Sequence, residues 1–152
     1  MRIYLDICCF NRPYDDQSSE RIELETQAKL HVQRMIREGR LQLATSYVLF
    51  YENQHNPFVM RKTRILYFLK KYGSVYIGSG QAERIGQVAA PIIATGVKLQ
   101  DAHHVACALE AGCRYFLTTD DRLLKYKNAA ISLLNPVDFI LLEAEDHDYG
   151  HS

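Results

Sequence analysis

The sequence lacks several features that would assign it to a specialised class of protein. It has no net charge, with 18 basic and 18 acidic residues, so any affinity for a polyanion must come from a local basic patch. No apolar run approaches the roughly 20 residues that span a bilayer. The N-terminus, MRIYLDICCF, carries one basic residue and places an acid within its apolar run, which is unlike a signal peptide. We therefore expect a cytoplasmic protein with no membrane partner.

The four cysteines form neither a zinc-like pattern nor a disulfide framework. Cys8, Cys9, Cys107 and Cys113 include no C-x-x-C pair, so we expect small buried hydrophobic side chains. What remains is an ordinary globular composition, with 47% hydrophobic and 24% charged residues in a chain of 152. This length suits one domain with a substantial core.

Short apolar segments alternate with helix-like segments along the chain. The apolar segments are typical of strands buried on both faces of a parallel sheet: RIYLDICCF (2–10), RLQLATS (40–46), SVYIGSG (74–80), YFLTT (115–119) and AISLL (130–134). Pro91 should kink or split one of the helices between them. The pattern predicts an α/β fold, a three-layer α/β/α sandwich with a central parallel sheet. It also predicts one domain over 1–142 and an acidic, flexible tail over 143–152.

Four acids lie at the ends or beginnings of apolar segments that are far apart in the chain. Asp6 and Asp120 follow predicted strands, so both should lie at the carboxyl edge of the sheet, where open α/β sheets have their functional crevice. Glu52 follows the apolar and aromatic YVLFY, and Asp101 lies at the margin of the apolar stripe of its helix. Asp101 or Asp120 alone has a structural explanation, as a first-turn acid or a helix cap.

Four ionised carboxylates in one pocket need cations to neutralise them. No basic residue adjoins Asp6, Glu52 or Asp101 in the sequence. Hard divalent ions such as Mg²⁺ or Mn²⁺ suit an all-carboxylate site, and a pair of them can support phosphodiester hydrolysis. The sequence therefore predicts a metal-dependent hydrolase if the four acids meet.

The same segments resemble the PIN-domain family, which contains the VapC-type toxins and related metal-dependent ribonucleases. The resemblance rests on IYLD, LATSYVLFYE, LQDAHHVACALEAGC and YFLTTDDRLL, in that order, and extends over residues 1–142. It implies a PIN-like fold, bound Mg²⁺ or Mn²⁺, hydrolysis of single-stranded RNA, a homodimer and, for a toxin, an antitoxin protein as partner. The residues that match the metal-binding and catalytic acids are Asp6, Glu52, Asp101 and Asp120, and Asp121 is an extra candidate metal ligand beside them.

The surroundings of these acids depart from the family pattern at one position. Two residues after the first Asp, where the family commonly has a small polar residue, this sequence has Cys8. A thiol is a poor hydrogen-bonding replacement, so Asn11 or Thr118 is expected to take over this supporting role. Arg12 and Arg122 are the candidate ligands of the scissile phosphate. The basic segment 59–72 is a further candidate for RNA contact, although its apolar residues also fit an ordinary core-facing helix.

Two other functions remain open from the sequence. The departure at Cys8 leaves room for a catalytically weakened PIN-like module that binds nucleic acid or protein. Alternatively, Asp6 is the nucleophile of a phosphatase resembling haloacid-dehalogenase-like enzymes, although the second acid of their hhhDxDx[TV] motif is absent here. Of the two histidines after Asp101, only His104 lies toward the Asp101 side of the helix. We expect His104 at most to support a metal ligand by a hydrogen bond, without binding the metal itself.

Overall fold

Five parallel strands form the central sheet. The structure is a computed structural model that describes the backbone of residues 1–150 and the side chains of residues 1–145. The strands are β1 (Arg2–Leu5), β2 (Gln42–Ser46), β3 (Gly73–Ile77), β4 (Tyr115–Leu117) and β5 (Ser132–Leu134). Their spatial order is β3-β2-β1-β4-β5, and every pairing between neighbours is parallel.

Helices connect the strands and flank the sheet. Those in the described part of the chain are α1 (Ile7–Asn11), α2 (Glu20–Arg37), α3 (Tyr47–Gln54), α4 (Val59–Tyr72), α5 (Ala82–Ala94), α6 (Leu99–Glu110), α7 (Asp121–Leu124) and α8 (Pro136–Gly150). Helix α2 packs against α8, and α5 packs against α6. The predicted three-layer α/β/α sandwich is confirmed. Within the residues that the structure describes, no helix is both long enough and apolar enough to cross a membrane.

The first strand is shorter than the sequence predicts. The apolar run 2–10 was expected to be one strand, but β1 ends at Leu5 and helix α1 begins at Ile7. The side chain of Asp6 caps this helix by accepting a hydrogen bond from the amide of Ile7. The prediction was wrong because a short apolar run does not distinguish a buried strand from a buried helix.

Two boundaries of helices also differ from expectation. Helix α5 continues through Pro91, which therefore does not split it; only three residues of the helix follow the proline. Helix α8 runs to Gly150, so residues 143–150 continue the helix that was expected to give way to a tail after residue 142. Glu143, Ala144 and Glu145 are all good helix formers, which favours this extension. Residues 151–152 of the expected tail lie outside the described part.

The order of the strands reverses between β1 and β4. The chain builds β2 and β3 on one side of β1, then returns to place β4 and β5 on the other side. At such a switch point the connections leave in opposite directions and open a crevice beyond the carboxyl ends of the strands. Leu5 pairs with Leu117 across these two strands, so Asp6 and Thr118 emerge side by side at the crevice.

Candidate metal centre at the edge of the sheet

Asp6 is a buried carboxylate directly after β1. Its Oδ1 atom accepts a hydrogen bond from the amide of Ile7 at 2.9 Å, and its Oδ2 atom accepts one from the hydroxyl of Thr118 at 2.9 Å. Burial raises the pKa of Asp6 and the charge of Glu52 adds to the rise, against the opposing effects of His104 and the Thr118 hydrogen bond. A proton is therefore held more tightly here than at an exposed aspartate.

Thr118 gives Asp6 the hydrogen bond that the thiol of Cys8 would supply only weakly. The Sγ atom of Cys8 lies 3.5 Å from Asp6 Oδ2 and 3.3 Å from the Thr118 hydroxyl, so all three groups are in contact. The Thr118 hydroxyl donates the shorter bond to Asp6. The side chain of Asn11 instead accepts a hydrogen bond from Asn56. Of the two residues proposed to compensate for Cys8, Thr118 is the one that contacts the carboxylate.

Glu52 is held by a buried histidine. Glu52 lies on α3, and its Oε2 atom is 2.5 Å from Nε2 of His104 on α6. The other ring nitrogen of His104 is 2.6 Å from the hydroxyl of Tyr4, which is itself 2.7 Å from the hydroxyl of Ser46. Both nitrogens of His104 therefore have partners, and the ring is 1% exposed. This buried chain fixes the direction in which the Glu52 carboxylate points.

His104 has a larger role than the sequence analysis assigned to it. Burial alone would lower the pKa of His104, but the hydrogen bond to Glu52 and the charge of Asp6 raise it overall. Its spacing of three residues from Asp101 puts both side chains on one face of α6, a signal that was available from the sequence. The partner Tyr4 is 100 positions away and could not be inferred from that spacing.

Asp101 lies in the first turn of α6 and is half-buried. Burial raises its pKa to about 6, and the charges of Asp6 and Asp120 contribute next. Among the described residues, no side chain of arginine or lysine pairs with its carboxylate. Asp101 therefore shares an electrostatic environment with acids that come from the ends of β1 and β4.

Asp120 combines a structural role with its position at the site. It caps α7, because its Oδ1 atom accepts hydrogen bonds from the amides of Arg122 at 2.9 Å and Leu123 at 3.3 Å. Its own amide donates to the Thr118 hydroxyl at 3.1 Å. One oxygen is thus used as a cap, and the same carboxylate contributes to the raised pKa of Asp101.

Asp121 has a different partner from the one expected of a metal ligand. Its two carboxylate oxygens each accept a hydrogen bond at 2.8 Å from the guanidinium of Arg21. Arg21 also donates to the carbonyl of Thr119 and so ties α2 to the start of α7. This ion pair lowers the pKa of Asp121. Because this carboxylate is already paired, we do not include Asp121 in the proposed metal centre.

The two arginines predicted to bind the scissile phosphate have different environments. Arg12 donates to Glu25 at 2.9 Å and to Asp15 at 2.9 Å, so its charge is already neutralised within the protein. Arg122 is exposed and makes no ion pair within the described part of the chain. It lines a cleft that also includes Asp101. The structure thus leaves Arg122 free for an anionic ligand and engages Arg12 elsewhere.

The donor atoms fit a hard divalent ion. One oxygen from Asp6, one from Glu52 and a nitrogen of His104 lie within 4.8 Å of one another, and burial together with the charges of Asp6, Asp120 and Glu52 raises the pKa of Asp101. None of these four acids pairs with an arginine or lysine among the residues described. Because both nitrogens of His104 are engaged, the remaining donors are carboxylate oxygens, which Mg²⁺ and Mn²⁺ prefer.

Three solved structures have the same arrangement of elements. VapBC2 from Rickettsia felis, bound to a DNA fragment from its promoter, matches with a TM-score of 0.54 and 12% identity over 89% of this chain and 98% of that one. FitAcB from Neisseria gonorrhoeae matches with a TM-score of 0.52 and 18% identity over 88% and 97%. FitAB bound to an IR36 DNA fragment matches with a TM-score of 0.54 and 17% identity over 89% and 95%.

The chain has a PIN-like fold. No protein-family model matches the sequence, and no curated protein does. The PIN-like fold that the sequence motifs predict is therefore confirmed by architecture, at identities of 12–18%. Similarity at this level extends to the fold, and the activity has to be argued from the side chains at its edge.

Proposed function

We propose that this protein is an endoribonuclease that hydrolyses phosphodiester bonds of single-stranded RNA with the help of Mg²⁺ or Mn²⁺. Asp6, Glu52, Asp101 and Asp120 are the proposed metal-binding and catalytic acids. The reaction adds water across a P–O bond, so that one product keeps the phosphate and the leaving ribose oxygen takes a proton. Bound divalent ions would supply an activated water and offset the charge that develops on phosphate oxygens.

The convergence of carboxylates that have no arginine or lysine partner among the described residues carries this proposal. Asp6 and Glu52 bring oxygens within 4.8 Å of each other from β1 and α3, which are separated by more than forty residues in the chain. Burial and neighbouring charge raise the pKa of Asp6 and Asp101 in the absence of arginine or lysine partners among the described residues. An acid cluster of this kind destabilises the folded chain unless a ligand neutralises it, and stable proteins retain such clusters mainly for function.

The protein's own side chains prepare the site by fixing its acids. The Thr118 hydroxyl and the amide of Ile7 hold both oxygens of Asp6, while His104 holds one oxygen of Glu52. Supporting hydrogen bonds of this kind typically change metal affinity or activity by about 10- to 100-fold when they are lost. The orientation of the donors is therefore set before any substrate arrives.

The two alternatives receive less support from the same geometry. The weakened binding module was suggested by Cys8, but the Thr118 hydroxyl takes over the contact with Asp6. Position 8, where the phosphatase motif has its second acid, is a thiol.

Hydrolysis of a labelled single-stranded RNA tests the proposal. We expect cleavage with Mg²⁺ or Mn²⁺, loss of cleavage with EDTA, and loss in Asp6→Asn and Asp101→Asn. Asp121→Asn is the matched control, because it removes a neighbouring carboxylate that pairs with Arg21 and should leave cleavage near the wild-type rate. Wild-type cleavage by Asp6→Asn and Asp101→Asn, or cleavage that EDTA does not affect, contradicts the proposal.

An antitoxin partner and a homodimer remain part of this proposal. The names VapBC2, FitAcB and FitAB describe assemblies that include a chain of this fold, and two of them are bound to DNA. We expect the protein to be a dimer and, if it is a toxin, to be inhibited by a partner protein. Light scattering of the purified chain measures the first expectation, and a purely monomeric protein across micromolar concentrations contradicts it.

A further inference from the structure

A basic cleft lies directly beside the candidate metal centre. It has a volume of about 440 Å³ and is bounded by the loop before α6 and by α7 with the residues that follow it. This volume is within the range of clefts that bind ligands. Asp101 forms part of its lining, so the cleft adjoins one of the four proposed metal-binding acids.

Four cations line this cleft, and none of them forms an ion pair with a carboxylate in the part of the chain whose side chains are described. They are Lys98, Arg122, Lys125 and Lys127. Among the described residues, their charged groups make one hydrogen bond, from Lys127 Nζ to the carbonyl of Leu124 at 3.2 Å, which leaves the charge of Lys127 unneutralised. In a protein of zero net charge, four such cations around one depression form a local site of positive potential.

Helix α4 forms a second basic surface, which lies away from the acids of the candidate metal centre. Helix α4 carries several cations, but Arg61 lies over the rings of Tyr14 and Phe58 at 4.7 and 4.3 Å. Lys71 donates to the Tyr67 hydroxyl at 3.1 Å. No acid of the candidate metal centre lies on this helix. The cations of α4 are therefore partly used to cover aromatic side chains.

We propose that the basic cleft binds the sugar-phosphate backbone of the RNA strand next to the phosphate at the acid cluster. This inference rests on the proposed function and specifies its substrate: a chain with phosphates on at least one side of the cleaved bond. Lysine and arginine ammonium and guanidinium groups bind phosphates without reading bases. The aromatic residue in this lining, Tyr126, accepts a hydrogen bond from Asn128 at its hydroxyl and packs against the core, which limits its use for base stacking. The cleft therefore confers little sequence preference.

Binding without cleavage tests this inference separately from the nuclease proposal. The probe is a fluorescein-labelled single-stranded RNA of about ten nucleotides, the size that such grooves commonly cover, measured by anisotropy in EDTA across a series of salt concentrations. If Lys125 and Lys127 each contact a phosphate, the double variant Lys125→Gln/Lys127→Gln weakens binding and flattens the logarithmic salt dependence by about 1.4. The matched control Lys70→Gln/Lys71→Gln removes the same charge from α4 and should leave both quantities near wild type.

Each outcome of this experiment decides one of the two proposals. The proposal that the cleft binds RNA is overturned if the wild-type chain shows no measurable RNA binding, or if both double variants have an equal effect. Displacement of the RNA by polyglutamate at least as effectively as by unlabelled RNA also overturns it, because the occupant is then an acidic protein segment. If RNA binding depends on the cleft lysines but no cleavage occurs in Mn²⁺, the RNA-binding role of the cleft is supported and the proposed nuclease activity is contradicted. Unchanged Mn²⁺ affinity of the Lys125→Gln/Lys127→Gln protein, measured by calorimetry, confirms that the metal centre is intact.

Discussion

Replacing Asp101 with asparagine should stabilise the metal-free protein at neutral pH. The carboxylate lies among other acids without a basic partner in the described residues, and its pKa is raised to about 6. An unfolded aspartate has a pKa of about 3.9. The folded state therefore binds the Asp101 proton more tightly than the unfolded state, and stability falls as pH rises from about 4 to about 6.

The size of the effect follows from the difference between these two pKa values. At about 1.4 kcal/mol per pKa unit, a folded value near 6 corresponds to roughly 3 kcal/mol at a pH above both values. Asp101 is only half-buried, so solvent screening reduces this to about 1–2 kcal/mol. We expect the free energy of unfolding of Asp101→Asn to be higher than that of the wild type by this amount near pH 7.5, and to differ little or not at all near pH 4.

Urea unfolding in EDTA at these two pH values measures the difference. The matched control is Asp138→Asn, because Asp138 is an exposed acid in the first turn of α8, as Asp101 is in α6. Loss of a favourable interaction with the helix dipole should cost Asp138→Asn about 0.3–1 kcal/mol. The reasoning is refuted if Asp101→Asn is no more stable than wild type near pH 7.5, or if Asp138→Asn gains as much. Saturating Mn²⁺ should reverse the order, because ligand binding stabilises the wild-type site more than the variant.

Three further predictions concern the residues that support the fold and the site. His104→Asn should weaken Mn²⁺ binding by about tenfold or more, measured by calorimetry, because it frees the Glu52 carboxylate; unchanged affinity would exclude a positioning role. Gly73→Ala should destabilise the protein by about 1–3 kcal/mol in urea unfolding, because an added Cβ would lie 2.6 Å from a backbone carbonyl, while Gly80→Ala, with no atom within 4 Å, should cost less than about 0.5 kcal/mol. Burial lowers the pKa of Lys29 to about 8, so wild-type stability should rise between about pH 8 and 10, and Lys29→Met should lack this rise.

The positions of the four acids relative to the strands could be predicted from local sequence. Asp6 and Asp120 follow apolar runs, and residues after parallel strands meet at one edge of a sheet whatever the order of the strands. Alternation of strands with helices likewise predicts the layers, because a parallel connection must cross over the sheet. These predictions depend on patterns of a few residues, which a single sequence contains in full.

Local sequence patterns could not predict which charged side chains form ion pairs within the protein and which do not. Arg12 and Arg122 were equivalent candidates in the sequence, yet Arg12 pairs with Glu25 on α2 while Arg122 lines the cleft. Asp121 stood beside Asp120 as a second possible ligand, and Arg21, 100 positions away, pairs with it. An ion pair depends on the distance between groups in space, which the packing of α2 against the rest of the chain sets.

By itself, the sequence determined the α/β architecture and the edge of the sheet at which Asp6 and Asp120 emerge. Only the tertiary structure decided that Thr118 and His104 hold the acids, and that four cations gather beside Asp101. The difference has one physical cause. Hydrophobic periodicity is a local property that directs each segment to its layer, whereas hydrogen bonds and charge pairs act over a few ångströms between segments that only folding brings together.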